Sequence, residues 1–134
     1  MSSATKRPTG SPEPASASSL RVLVCGGRDF RDRDAVAREL DPLRNKMAAL
    51  LSGGAPGADT LAWDWGWDRN FHCERMFADW KKHGRAAGPI RNQRMIDEWK
   101  PTLVIAFPGG RGTADMIRRA EAAGIPVRHA SASA

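Results

Sequence analysis

The sequence predicts an α/β domain: a three-layer Rossmann-like fold, with a mostly parallel five-stranded sheet and helices on both faces. Two patterns predict it. Short continuous apolar runs alternate with stretches whose apolar residues fall three or four apart. Three of the apolar runs end in glycine-rich turns, "CGGRDF", "SGGAPGAD" and "FPGGRGTAD". Strands that are apolar throughout are buried on both faces, and a parallel sheet with helical crossovers is the arrangement that buries them.

The elements follow in order. "LRVLVCGG" is a buried strand running into a turn, and Asp32 or Asp34 can cap the helix that follows. "DAVARELDPLRNKM" places Val36, Leu40, Leu43 and Met47 on one helical stripe, and Pro42 predicts a kink or an early end. "AALLSGG" is the second strand. "GADTLAWDWGWDRN" is the second helix, with Leu61, Ala62 and Trp65 on one side and Trp63 and Trp67 sharing another. "FHCERMF" is a third strand whose alternation Glu74 and Arg75 break. "ADWKKHGRAAG" reads as a polar loop. Pro89 then opens a helix that runs through Met95 to Trp99. "PTLVIAF" is the fourth strand, a helix from about Thr113 shows Thr113, Met116, Ile117 and Ala120 on one face, and "IPVRHA" is the fifth strand.

The 134 residues suit one domain. Residues 1–19 carry no aliphatic side chain larger than alanine after Met1 and are expected to be a disordered tail. The folded domain is expected over 20–130, with 131–134 frayed. No apolar run is long enough for a signal peptide or a membrane span, so the expectation is a cytoplasmic protein without a membrane partner. Cys25 and Cys73 are expected as reduced thiols, and no spacing of His, Cys or Asp suggests a metal site. The formal charge is +6, most of it outside the tail, which favours an anionic partner.

Parallel strands carry the three glycine turns to one edge of the sheet, where ligands of such folds bind. The second and third turns lead straight into helices, whose first N–H groups are unpaired and carry partial positive charge. Glycine there lets a phosphate come close to the backbone. Short turns also hold glycine for geometry alone. Three of them at one edge, with Arg28 and Arg111 inside two, point to a site. Neither G-x-G-x-x-G nor the P-loop pattern is met, which disfavours an ordinary NAD enzyme or ATPase.

The stretches "RVLVCGGRDF", "SGGAPGADTLAWDW", "ADWKKHGRAAGPIRNQRM" and "PTLVIAFPGGRGTADM" resemble SLOG-superfamily domains, the group of the Lonely Guy phosphoribohydrolases, DprA and the YpsA-type proteins. Within that group the chain most resembles the small YspA/YpsA-related branch. The resemblance implies a Rossmann-like fold with a nucleotide-type ligand over the glycine turns. The superfamily's hydrolases carry P-G-G-x-G-T-x-x-E. Pro108, Gly109, Gly110, Gly112 and Thr113 match it, but Met116 stands at the position of the catalytic Glu. Asp115, one residue earlier, is turned away by about 100° on a helix.

The long segment before the third helix brings Trp80, Lys81, Lys82, Arg85, Arg91 and Asn92 toward the same edge. A base could stack on Trp80, with Arg85 or Arg91 on a phosphate and Asn92 on a base edge or ribose hydroxyl. The resemblance adds support for Arg91 and Asn92. The expected ligand site therefore comprises Gly26, Gly27, Arg28, Gly53, Gly54, Gly57, Asp59, Trp80, Arg91, Asn92, Pro108, Gly109, Gly110, Arg111, Gly112 and Thr113. Binding of a nucleotide or nucleotide-derived phosphorylated ligand is the leading expectation, with no cofactor beyond that ligand and no metal. A hydrolase of N-glycosidic bonds is the alternative, with Asp115 as catalytic carboxylate and Asp59 and Asp29 behind it. DprA-like binding of single-stranded nucleic acid is the third. The tryptophan face outside the core suggests a homo-oligomer.

Overall fold

The computed structural model describes residues 19–132. The expected tail and the frayed end lie outside the described residues except for residues 19, 131 and 132. The strands are β1 (Leu20–Cys25), β2 (Met47–Ser52), β3 (Cys73–Arg75), β4 (Leu103–Ala106) and β5 (Val127–His129). They form one sheet in the order β3-β2-β1-β4-β5, and every pairing is parallel. The helices are α1 (Arg33–Leu40), α2 (Ala58–Asp68), α3 (Trp80–His83), α4 (Ala87–Arg94) and α5 (Arg111–Ala122). The chain builds outward from β1 through β2 to β3, then returns to the other side of β1 as β4 and β5. The reversal falls between β1 and β4, beside the loops that carry the glycines.

Strand alternation divides the core into two layers. Val22 and Val24 of β1, with Leu50, Ile105 and Phe107, pack against Val36, Leu40, Leu61 and Trp65 of α1 and α2. Leu23 and Cys25, with Leu51, Val104 and Ala106, pack against Met95, Ile96, Trp99, Met116 and Ala120 on the opposite face. Val22, Leu23, Val24, Leu50 and Ile105 are fully inaccessible, and each such side chain contributes about 1.5–3 kcal/mol.

Local chemistry sets the boundaries. Asp32 caps α1, its carboxylate accepting from Ala35 N at 3.0 Å. The α-helix stops at Leu40, and Pro42 heads a tighter 3₁₀ segment, Asp41–Lys46. Pro42 therefore ends the helix, as its missing N–H dictates. α4 passes through a wider π-type turn, Met95–Trp99, and closes on Lys100 in the left-handed region (φ 58) before Pro101.

Several boundaries differ from the sequence reading. β3 keeps only Cys73–Arg75, because it is an edge strand with one neighbour. The "polar loop" contains a short helix, α3, capped by Asp79 on Lys82 N at 3.1 Å. α4 starts two residues before Pro89, and α5 two before Thr113. Trp65 is buried, with its indole N–H on Asp41 at 2.8 Å, while Trp67 is 79% exposed. No helix among the described residues is long and apolar enough to cross a membrane.

Candidate functional site

The three glycine turns meet because backbone hydrogen bonds join them. Gly27 N donates to Pro108 O at 2.8 Å, tying the β1 turn to the β4 turn. Gly27 O accepts from Ala58 N at 3.2 Å, tying the β1 turn to the first residue of α2. Gly57, at φ 85, admits this approach, since any Cβ there would run into Gly27 O and the Arg28 backbone. Above the stitched turns lies a cleft of about 820 Å³. The turns line it with Gly26–Phe30, Gly53, Ala55, Asp59 and Pro108–Thr113, and the segment from α3 into α4 lines it with Trp80, Arg85, Gly88, Pro89, Arg91 and Asn92. Met95, Asp115 and Met116 also line it.

Every residue of the expected ligand site borders this cleft except Gly54 and Gly57. A Cβ on Gly54 would meet the Phe77 ring, and Gly57 faces the β1 turn, so both glycines serve packing. The α2 turn is also filled from inside. The Asp59 carboxylate accepts from Ala55 N at 3.1 Å and occupies the position an external anion would take. The α5 turn is different. Gly109 is held against Thr113 and Gly27, but Cβ atoms on Gly110 or Gly112 would meet no protein atom within 4 Å. Those two open positions flank Arg111, at the start of a helix whose cap residue, Gly110, offers no side-chain hydrogen bond.

The carboxylates of the cleft differ sharply. Asp59 is 6% exposed; burial lifts its pKa to about 6, although hydrogen bonds from Ala55 and Gly53 and the charge of Arg91 pull the other way. Arg91 is anchored by Nη1 on Gly53 O at 2.8 Å and by Nε on Asn92 Oδ1 at 3.0 Å. Asn92 in turn donates to Asp115 Oδ2 at 2.9 Å and to Gly112 O at 3.3 Å. Asp115 also pairs with Arg119 at 2.8 Å and Arg118 at 3.3 Å. Burial raises its pKa, but the hydrogen bonds from Arg119 and Asn92 outweigh that and leave it below the usual carboxylate value. Asp115 is the fifth residue of α5 rather than part of its first turn, and it clamps α5 to α4. Met116, at the hydrolase Glu position, is 1% exposed and gives the cleft an apolar floor.

Cys25 borders the cleft as well, but burial drives its thiol up to about 12, and that of Cys73 to about 11, so neither is a thiolate nucleophile. Trp80 is 55% exposed at the mouth, and its ring edge lies over Gly88, where a Cβ would be 3.3 Å away. The sequence reading missed Gly88 and Phe30, which stacks on Phe107 with centroids 5.0 Å apart. Both lie within the quoted stretches, "RVLVCGGRDF" and "ADWKKHGRAAGPIRNQRM", but only the folded path shows that they border the cleft.

A parallel sheet whose strand order reverses beneath a glycine-lined cleft defines a Rossmann-like α/β protein. A sequence profile described as the YspA, cpYpsA-related SLOG family matches residues 20–83. The chain is similar to the Gene 61 protein of Mycobacterium phage D29, with 40% identity over 118 residues that cover 80% of this chain and 93% of the phage protein. The chain belongs to this SLOG family.

Proposed function

We propose that the protein binds a nucleotide or nucleotide-derived phosphorylated ligand, with a phosphate at the N-terminus of α5 and the base against Trp80. The carrying observation is the empty space at Gly110 and Gly112. Internal packing accounts for the glycines at 26, 27, 53, 54, 57 and 109 but not for these two. Gly112 costs helix stability in an exposed first turn, where alanine would fit. A ligand that approaches the backbone supplies the reason to keep it. Membership of the SLOG family supports the same reading. The turn at Gly53–Gly57, whose N–H groups face Asp59, contributes packing rather than a second phosphate cradle. Titration with nucleoside mono-, di- and cyclic phosphates tests the proposal: saturable binding that Gly110→Val abolishes is expected, and the absence of binding would end it.

A second reading is hydrolysis of an N-glycosidic bond, and Asp59 is the observation in its favour. It is a buried carboxylate on the cleft wall that titrates near 6, the range of a general acid or base at neutral pH. Asp115, held ionised by two arginines and an amide, is the poorer candidate. Incubation with AMP, followed by chromatography for free base, tests this reading. It requires release of base by the wild-type chain and loss of that release in Asp59→Asn.

A further inference from the structure

Most arginines of this basic chain have a partner within the fold. Among the described residues, seven pair with carboxylates. Four more donate to backbone carbonyls, and Arg75 lies over the Trp63 ring at 3.7 Å. The three that remain are Arg28, Arg85 and Arg111, and all three border the cleft. They come from separate parts of it. Arg28 sits on the β1 turn, Arg111 opens α5, and Arg85 lies in the link between α3 and α4. Asp29 is the single carboxylate bordering the cleft that has no partner.

This distribution is informative because arginine pairs readily. Its planar fork of donors is satisfied by carboxylates, carbonyls and rings, and the rest of the fold uses all three. Three exposed guanidiniums without a protein partner around one concavity repel one another and raise the local positive potential, which draws in and retains anions. A single phosphate against α5 lies beside Arg111 and within the neighbourhood of the adjoining β1 turn. Arg85, which belongs to a separate segment, calls for a second anion.

We propose that the natural ligand is a nucleoside bearing more than one phosphoryl group, with one phosphate at the α5 turn and another reaching Arg85. Asp29 then accepts from a ribose hydroxyl, the role a lone acid takes beside a nucleotide's sugar. The proposal rests on the nucleotide-binding reading above and narrows it from nucleotides in general to polyphosphorylated ones. The shared chemistry has two sources, a phosphate chain on one ribose carbon or phosphates on two different carbons.

Calorimetric titration of the full chain with AMP, ADP, ATP and adenosine 3′,5′-bisphosphate, at fixed salt and without divalent cations, separates the possibilities. ADP and ATP, or the bisphosphate, are expected to bind at least about 10-fold tighter than AMP, the increment of a charge-assisted pair. The tighter member identifies the source. Arg85→Gln removes a side chain with no protein partner, so it is expected to keep the melting temperature and to weaken ADP, ATP or bisphosphate binding more than AMP binding, losing most of that increment. AMP binding within about 2-fold of every other compound would overturn this proposal and leave the nucleotide reading intact. Undiminished binding by Arg85→Gln would overturn it equally. If none of the four compounds binds, or if a single-stranded oligonucleotide binds much tighter than all of them, the nucleotide reading falls together with the proposal.

Discussion

Gly112→Ala separates what the fold needs from what the ligand needs. Gly112 is the second residue of α5, exposed, with no atom within 4 Å of a would-be Cβ. Alanine is favoured over glycine in a helix by about 0.5–1 kcal/mol. For a domain of this size that corresponds to a rise in Tm of roughly 2–4 °C. The same methyl group enters the space assigned to a phosphate oxygen, so nucleotide affinity falls by at least about 10-fold, or about 1.4 kcal/mol. Differential scanning calorimetry and titration on the same preparation read both effects. Gly109→Ala is the internal control. Its Cβ would collide with the Thr113 side chain and Gly27 N, so it is expected to melt lower by the roughly 1–3 kcal/mol of an overpacked site. A Gly112→Ala protein that melts below wild type would refute the reasoning about open space. One that melts higher and binds nucleotide unchanged would refute the placement of phosphate at α5.

Asp59 predicts a pH effect of definite sign. Its folded pKa, about 6, lies above the reference 3.8, so the folded chain holds this proton more tightly and stability rises as pH falls through that window. Urea unfolding should show wild type gaining about 1 kcal/mol relative to Asp59→Asn between pH 7 and pH 5, and an unchanged difference would remove the buried carboxylate from the account. Trp80→Ala is expected to weaken nucleotide binding by about 1–3 kcal/mol while sparing inorganic phosphate and the melting temperature, which equal losses for both ligands would contradict. Asp115→Ala strips buried Asn92 and half-buried Arg119 of their acceptor, so thermal unfolding should show a loss of roughly 2–3 kcal/mol; a loss within 0.5 kcal/mol, about the range of neutral surface changes, would deny it the role of clamp.

The fold was legible because its signals are local and repeated. Apolar runs such as "RVLVC" and "LVIAF" declare buried strands, and the stripe at Thr113, Met116, Ile117 and Ala120 declares which side of α5 faces the sheet. Pro42 marked the end of α1 correctly for the same reason. The short helix α3 was not legible, since a four-residue helix has too few positions to show a period and depends on the Asp79 cap. Within the cleft, the turn residues could be read from their glycines, but their individual duties could not. Gly54 and Gly110 look alike in sequence. Only the Phe77 ring over one and the open space beside the other tell them apart. Asp59 and Asp115 likewise share a G-x-D or A-D setting, and their opposite pKa shifts come from the fold: burial raises the one, while hydrogen bonds from Arg119 and Asn92 lower the other.

The double use of Gly27 O, which accepts from Phe30 N and from Ala58 N at 3.2 Å each, has a mechanical consequence. Together with the Gly27–Pro108 bond it makes the β1, β2 and β4 ends of the cleft behave as one anvil. Trp80 and Arg85 stand apart from it, on either side of Gly84 (φ 56) in the segment that leads into α4. Under the nucleotide-binding proposal, little ordering remains to be done on the anvil when a ligand arrives.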